Sequence, residues 1–439
     1  MSTNDPIVIV GMARTPMGGF QGVLKDVSAP ELGSFAIRAA IERSGVPAED
    51  VDEVLMGCVL PAGMGQAPAR QASIGAGIPV SAGCTTVNKM CGSGMKATMQ
   101  AHDSLVAKTN EVVVAGGLES MSNAPYILPK ARTGQRLGHG QMMDHMFIDG
   151  LEDAFDKGTL MGVFAERTAK KYEFSREAQD EFAIRSLTRA KKAIEDGSFD
   201  AEVTPVTYKN RQGEVTVEQD EQPLTANLDK IPKLRPAFEK DGTVTAANSS
   251  SISDGAAALV MMRESSAKIR GLKPVARFLG QSSFAQAPEW FTTAPVGAIK
   301  NLLETVGWNA EDVDLFEINE AFAVVTMAAM KDLDLPAEKV NIHGGACALG
   351  HPVGASGTRI LVTLISALQK YGKTRGIASL CIGGGEARCR GYGFSAGGGD
   401  SGGAPDPSES PHPPADNWCG GPPPPPPHIF ATPLINLPA

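Results

Sequence analysis

Residues 111–122 read EVVVAGGLESMS and residues 375–387 read RGIASLCIGGGEA, and the likeness of these two stretches decides the fold. Each is a β-branched, apolar run that ends in paired or tripled glycine. Each follows an amphipathic stretch, GSGMKATMQAHDSLVAK (92–108) before the first and GASGTRILVTLISALQKYG (354–372) before the second. Strand–helix alternation of this kind predicts α/β layers around a mostly buried central sheet. The repetition predicts two copies of one unit, related by duplication. Such a pair would bring the ends of equivalent strands together, where glycine-rich turns leave room for a ligand.

Between the copies the composition changes. Residues 123–248 hold LPKARTGQRLGHGQMMDHM, a strongly charged helical stretch from about Ala165 to Glu195, and the strand-like TPVTYKNRQGEVTVEQDE. This is too long and too structured for a linker and predicts an inserted loop domain. The α/β pattern resumes at ALVMM (258–262) and ARFLGQSSF (276–284). The expected organisation is therefore a first half over 1–122 with 249–271, the insertion over 123–248, and a second half over 272–388. Residues 389–439 are rich in glycine, proline and serine and include six consecutive prolines. That composition favours polyproline II and disorder over a packed element.

With 439 residues, 42% hydrophobic and 20% charged, the chain can bury a sizeable core and more than one domain. A formal net charge of −9 argues against non-specific nucleic-acid binding and against a polybasic membrane surface. The N-terminus MSTNDPIVIVGMARTP has no basic region before its short apolar run, so it is not a secretory signal, and no stretch approaches transmembrane length. Seven cysteines at irregular spacing, with no CxxC pair, suggest reduced thiols in a cytoplasmic protein and no zinc site. Cys58, Cys84, Cys347 and Cys389 read as buried or incidental thiols.

Four short segments carry chemistry: NKMCGSG with Cys91, NEAFA with Asn319, GGACALGHPVGASG with His351, and CIGGG with Cys381. Cys91 stands where an extended stretch turns through Gly-Ser-Gly into a helix. There the dipole and free amides would favour a thiolate and could hold an oxyanion. Taken alone it reads equally as a small buried hydrophobe. His351, on a glycine-rich turn before a helix, could take the thiol proton; an isolated GHP could equally be a helix cap. Cys381 ends an apolar run before three glycines, where a thiol could shuttle a proton, although alone it reads better as a core cysteine. Asn319 reads as a cap on a helix beginning EAFAVVTMAAM, and Glu320 as a capping partner or a site residue.

In this order and with these residue types, the four segments resemble the thiolase family, and the resemblance runs from about residue 5 to about residue 387. It implies duplicated α/β/α/β/α layers and a ping-pong Claisen condensation. Cys91 is acylated, His351 activates it, and Cys381 serves as acid and base at the α-carbon. The asparagine matching Asn319 holds a water that forms one oxyanion hole with His351, and the backbone amides of Cys91 and Gly383 form another. The segments between Leu315 and Glu386 are most similar to biosynthetic bacterial members. The resemblance thus implies acetyl-CoA and acetoacetyl-CoA as substrates, with a degradative 3-ketoacyl-CoA thiolase for longer chains or an inactive, unstable thiolase as alternatives. It also implies thiolysis as the reverse reaction, no further cofactor, and a homo-oligomer, either dimer or tetramer. It also implies that the insertion clamps coenzyme A, with Ser250 at the pantetheine, Met161 in the substrate site, and Arg235 and Lys240 as candidates near the phosphates. On their own, Arg235 and Lys240 read better as solvated charge. Leu160 departs from the His-Met-Gly of many biosynthetic members. After CIGGGEA the chain reads RCRGYGFSAGGGD instead of an alternating apolar strand. This looks like a frameshifted end, in which Gly391, Gly393 and Gly397 would weaken a strand.

Overall fold

The structure is a computed structural model that describes residues 5–393. Its core is one ten-stranded mixed sheet. The first half supplies β1 (Ile7–Arg14), β2 (Glu53–Gly57), β3 (Gly83–Val87), β4 (Val112–Ser120) and β5 (Ser253–Arg263). The second half supplies β6 (Ala276–Ala285), β7 (Leu315–Ile318), β8 (Arg375–Ile382) and β9 (Glu386–Gly393). The order is β7-β8-β9-β6-β1-β5-β4-β2-β3, with a short Gly18–Gly19 strand beside β5.

The duplication is visible in this order. Within the first half the strands stand third, second, fourth, fifth, first. The pair β3–β2 and the pair β2–β4 are parallel, whereas β4–β5 and β5–β1 are antiparallel. The second half repeats the scheme, with β7–β8 parallel and β8–β9 and β9–β6 antiparallel. Its third strand is reduced to a parallel bridge between Phe316 and Val340. The two first strands, β1 and β6, pair antiparallel and join the halves.

Each half-sheet is covered on both faces, which is why its strands are apolar without strict alternation. Val112 and Val114 face α1 (Ala29–Ser44), whereas Val113 and Ala115 face inward. The inward faces of both halves enclose two helices, α2 (Ser93–Val106) and α7 (Ser356–Lys370). Residues Ser356 to Leu368 of α7 are all buried, as a helix between two half-sheets requires. Helices α5 (Ala294–Val306) and α6 (Ala323–Asp332) cover the outer face of the second half. The layers are thus α/β/α/β/α, as the family resemblance implies.

The insertion folds against both halves. Its charged stretch is two helices, α3 (Met161–Tyr172) and α4 (Arg176–Glu195), separated where Glu173 takes φ +58° and Ser175 caps the second helix. Phe164 and Ala165 of α3 share a core with Phe322, Val324 and Cys381. The expected strand-like run is a hairpin, Val206–Asn210 with Gly213–Val217, and it packs onto the first half's core.

One expectation is corrected. The proposed tail boundary at residue 389 cuts through β9, which pairs with β8 on one side and β6 on the other. Ala387 and Cys389 lie in the outer core, and Tyr392 lies in the inner one. Gly391 and Gly393 therefore do not abolish the strand, because flanking strands and buried neighbours outweigh their low propensity. The expectations for residues 394–439, Gly397 and the proline run among them, lie outside the described residues. Among the described residues, no helix is long and apolar enough to cross a membrane.

Candidate active site

Cys91 sits two residues before α2, on a turn in which Met90 takes φ +48°, a region uncommon for non-glycine residues. Ser93 holds the turn: Lys89 N donates to its Oγ at 2.8 Å, and the Oγ donates to Met90 O at 2.6 Å. A Cβ on Gly92 would lie 2.4 Å from Ile382 Cδ1, so the turn is fitted against the end of β8 from the other half. Burial pushes the Cys91 thiol up to about 11, while the backbone N–H groups of Gly383 and of Cys91 itself pull it down. Desolvation outweighs these amides, so a thiolate at Cys91 calls for a base nearby.

His351 is the candidate base. Its Nδ1 lies 2.5 Å from Ser356 Oγ, and that hydroxyl donates onward to Pro352 O at 2.9 Å. With its single proton committed, Ser356 accepts, which places the histidine proton on Nδ1. Nε2 is then an unprotonated lone pair, buried and without a hydrogen-bond partner among the described residues. Burial, reinforced by Arg359, holds the imidazole down to about 3, so it is neutral at physiological pH.

Cys381 is fully buried near the end of β8. Burial, and then the neighbouring Cys91 thiol, raise its pKa well above the ordinary thiol value. The chain then turns through Gly384 and Gly385, both near φ +90°, and this turn sets Gly383 beside Cys91. Asn319 follows β7 directly. Helix α6 starts only at Ala323, so Asn319 is not its cap. Its Nδ2 and Oδ1 are buried and without partners among the described residues, an arrangement that asks for a ligand or solvent contact.

A cavity of about 660 Å³ opens over these residues. Cys91, His351 and Gly383 line it, as do Ser250, Leu160 and Met161. Its far wall is stitched from the loop before β5 and the NEAFA segment, where Ser250 N donates to Ala321 O and Ala323 N donates to Asn248 O. Asn319 and Cys381 are buried and are not among the residues that line it. Arg235 and Lys240 are exposed and outside it, although Ala237 and Phe238 between them line it.

Three residues escaped the sequence reading. Ser356 fixes the His351 tautomer, and Arg359 lies one turn further along α7. Glu119, in the quoted LESMS, is a buried carboxylate within the electrostatic reach of Cys91. Glu320 serves as a brace: Asn341, Ser186 and the Cys347 amide all donate to its carboxylate.

A thiol, a neutral imidazole and a second thiol, set between two like α/β halves, are the inventory of an acyltransferase, and the comparisons with known proteins give the same class. Residues 7–265 match the thiolase N-terminal domain, and residues 272–390 match the thiolase C-terminal domain. The chain is 49% identical to the cytosolic acetyl-CoA acetyltransferase of Mus musculus over 385 residues, 87% of this chain and 96% of that protein. It is 48% identical to the acetyl-CoA acetyltransferase of Cupriavidus necator over 381 residues, 86% and 97% of the two chains. The crystal structure of the Bacillus anthracis acetyl-CoA acetyltransferase superposes with a TM-score of 0.86 at 44% identity, covering 89% of this chain and 98% of that one. The chain belongs to the thiolase family.

Proposed function

We propose that this chain is an acetyl-CoA C-acetyltransferase, which condenses two acetyl-CoA to acetoacetyl-CoA and coenzyme A and runs the thiolytic reverse. The observation that carries the reading is the meeting of Cys91, the free Nε2 of His351 and the Gly383 amide at one cavity.

His351 Nε2 takes the Cys91 proton as the sulfur attacks the thioester carbonyl. The amides of Cys91 and Gly383 receive the developing oxyanion. The carbon–sulfur bond to coenzyme A breaks, and the departing sulfur takes the Cys381 proton, leaving S-acetyl-Cys91. The Cys381 thiolate then removes an α-proton from a second acetyl-CoA, and the enolate oxygen faces Asn319 and the His351 Nε2–H. The enolate carbon attacks the acetyl group, the bond to Cys91 breaks, and His351 returns its proton to the sulfur. All three groups end as they began.

In this reading Ser250, Met161 and Leu160, which line the cavity, meet the pantetheine arm, and the exposed Arg235 and Lys240 are candidates for its phosphates. Initial rates of condensation at varied acetyl-CoA, with product inhibition by coenzyme A, test the reading. Ping-pong behaviour that vanishes in Cys91→Ala supports it; condensation by Cys91→Ala contradicts it. The homo-oligomer belongs to the same proposal, and sedimentation equilibrium reads it directly.

A further inference from the structure

The loop that carries His351 belongs to the second half, but it is gripped by the first. Gly354, three residues after the histidine, sits with its carbonyl oxygen against Gly57, Gly94 and Gly117. A Cβ on any of these would lie 2.1 to 3.0 Å from that oxygen. The amide on the other side of Gly354 donates to Glu119 Oε2 at 2.8 Å. The same carboxylate accepts from Val59 N at 2.9 Å and Leu60 N at 3.1 Å, and Cys58 Sγ lies 3.5 Å away. Glu119 itself ends β4, paired with Gly255 of β5, so its base is rigid. A Cβ on Gly354 would fall 2.6 Å from its Oε2, which leaves no slack in the seat. Val353, the next residue back, packs on Val59, Leu60 and Met146, with Cys91 against the same cluster.

We propose that Glu119 is a positioning residue for the acyl-transfer reaction: its carboxylate clamps the His351 loop of one half to the Cys91 wall of the other and so sets the distance between base and nucleophile. This rests on the acetyltransferase reading above. A fully buried carboxylate is costly unless its lone pairs are satisfied, and three amides from two separate loops satisfy this one. Removing the clamp leaves Cys91 and His351 chemically intact and frees only their spacing. Misplacement of a reacting pair by about 1 Å costs on the order of 100-fold in rate.

Ionisation of the clamp gives a second readout. Burial raises Glu119 to about 7, with the three amides opposing. The titratable groups facing it are the thiols of Cys58 and Cys91, and both are held protonated through neutral pH. When Glu119 gains a proton, its new O–H faces an amide N–H and one contact is lost. Transfer should therefore fall as pH drops through about 7, a limb that His351, held near 3, does not supply.

The test is the single-turnover rate of Cys91 acetylation by acetyl-CoA, measured from pH 5.5 to 8.5 in the full chain and in Glu119→Gln. The amide keeps the size of the side chain but offers one acceptor oxygen in place of two. The expected result is a cooperative melt, a KM for acetyl-CoA within about 3-fold of wild type, a rate lower by roughly 10- to 100-fold, and a flat profile across pH 7. Should Glu119→Gln fail to fold, Glu119→Asp keeps the charge, shortens the reach by one methylene, and carries the same expectation for the rate. A folded variant that acetylates Cys91 at the wild-type rate with the wild-type profile overturns the proposal. Absence of acetylation in the wild-type chain would instead count against the acetyltransferase reading, and so separates the two.

Discussion

Ser356 Oγ lies 2.5 Å from His351 Nδ1 and 2.9 Å from the carbonyl it donates to, so one hydroxyl proton decides which imidazole nitrogen faces the substrate. Ser356→Ala removes the acceptor that holds the proton on Nδ1, and the wrong tautomer becomes accessible. We expect acetylation of Cys91 to slow by roughly 10- to 100-fold, the range over which one acid–base element acts. KM should change little, because Ser356 does not line the cavity. Burst kinetics with acetyl-CoA check this, and Ser356→Thr, which restores the hydroxyl, should recover part of the loss.

The buried, neutral His351 also leaves a mark on stability. Its folded-state value, held down to about 3, lies below the ordinary 6.5. Between those values the unfolded chain binds more protons, so stability rises with pH across that window and is lost as pH falls through it. In His351→Asn this contribution is absent. Urea denaturation at pH 7 and pH 4.5 should show a smaller loss on acidification in the variant than in the wild type; equal losses would contradict the assignment. Comparing the two chains cancels Glu119 and Glu317, whose raised values slope the other way.

In the proposed mechanism Cys381 divides the reaction in two. Cys381→Ala should still form S-acetyl-Cys91, more slowly for want of the proton given to coenzyme A, and then stop. Condensation should fall by at least roughly 1,000-fold, because the proposed mechanism gives the α-proton to Cys381. Exchange of deuterium into the methyl group of acetyl-CoA, followed by NMR, checks this directly: the wild type exchanges and the variant does not.

The last strand makes a separate prediction about folding. Arg390 is fully buried in β9, its guanidinium over the Phe278 ring at 3.9 Å and hydrogen-bonded to Gln281 at 3.2 Å, with Nε and Nη1 unpartnered among the described residues. A buried cation so poorly satisfied is expensive, and an apolar replacement of similar volume stabilises comparable sites by about 1–4 kcal/mol. Arg390→Met should raise the urea midpoint with the slope unchanged. Tyr392→Ala, which removes a buried ring edge-on to Phe278, should lower stability by about 3–5 kcal/mol.

How much of this was legible from the sequence varied with the kind of signal. The repeated apolar runs ending in glycine gave the duplicated halves, because hydrophobic period and turn chemistry are local. Cys91, His351, Ser250 and Met161 meet at one cavity, and Gly383 joins them through its turn. The strand over 386–393 was misjudged: propensity read RCRGYG as a poor strand, but β6 and β8 were waiting on both sides to pair with it. Glu119 was invisible for a related reason. A carboxylate at the end of an apolar strand looks solvated until the Gly354 loop, 235 residues later in the chain, is folded onto it. Ser356 was quoted as part of a glycine-rich turn, and only its distances to His351 and Pro352 show what its proton does.

The most direct measurement is mass spectrometry of the purified full chain after brief exposure to acetyl-CoA, with peptide mapping. The account predicts one acetyl group on the peptide that contains Cys91, lost on adding coenzyme A and absent from Cys91→Ala. An unmodified wild-type protein, or an acetyl group on Cys381 or another cysteine in its place, would contradict it.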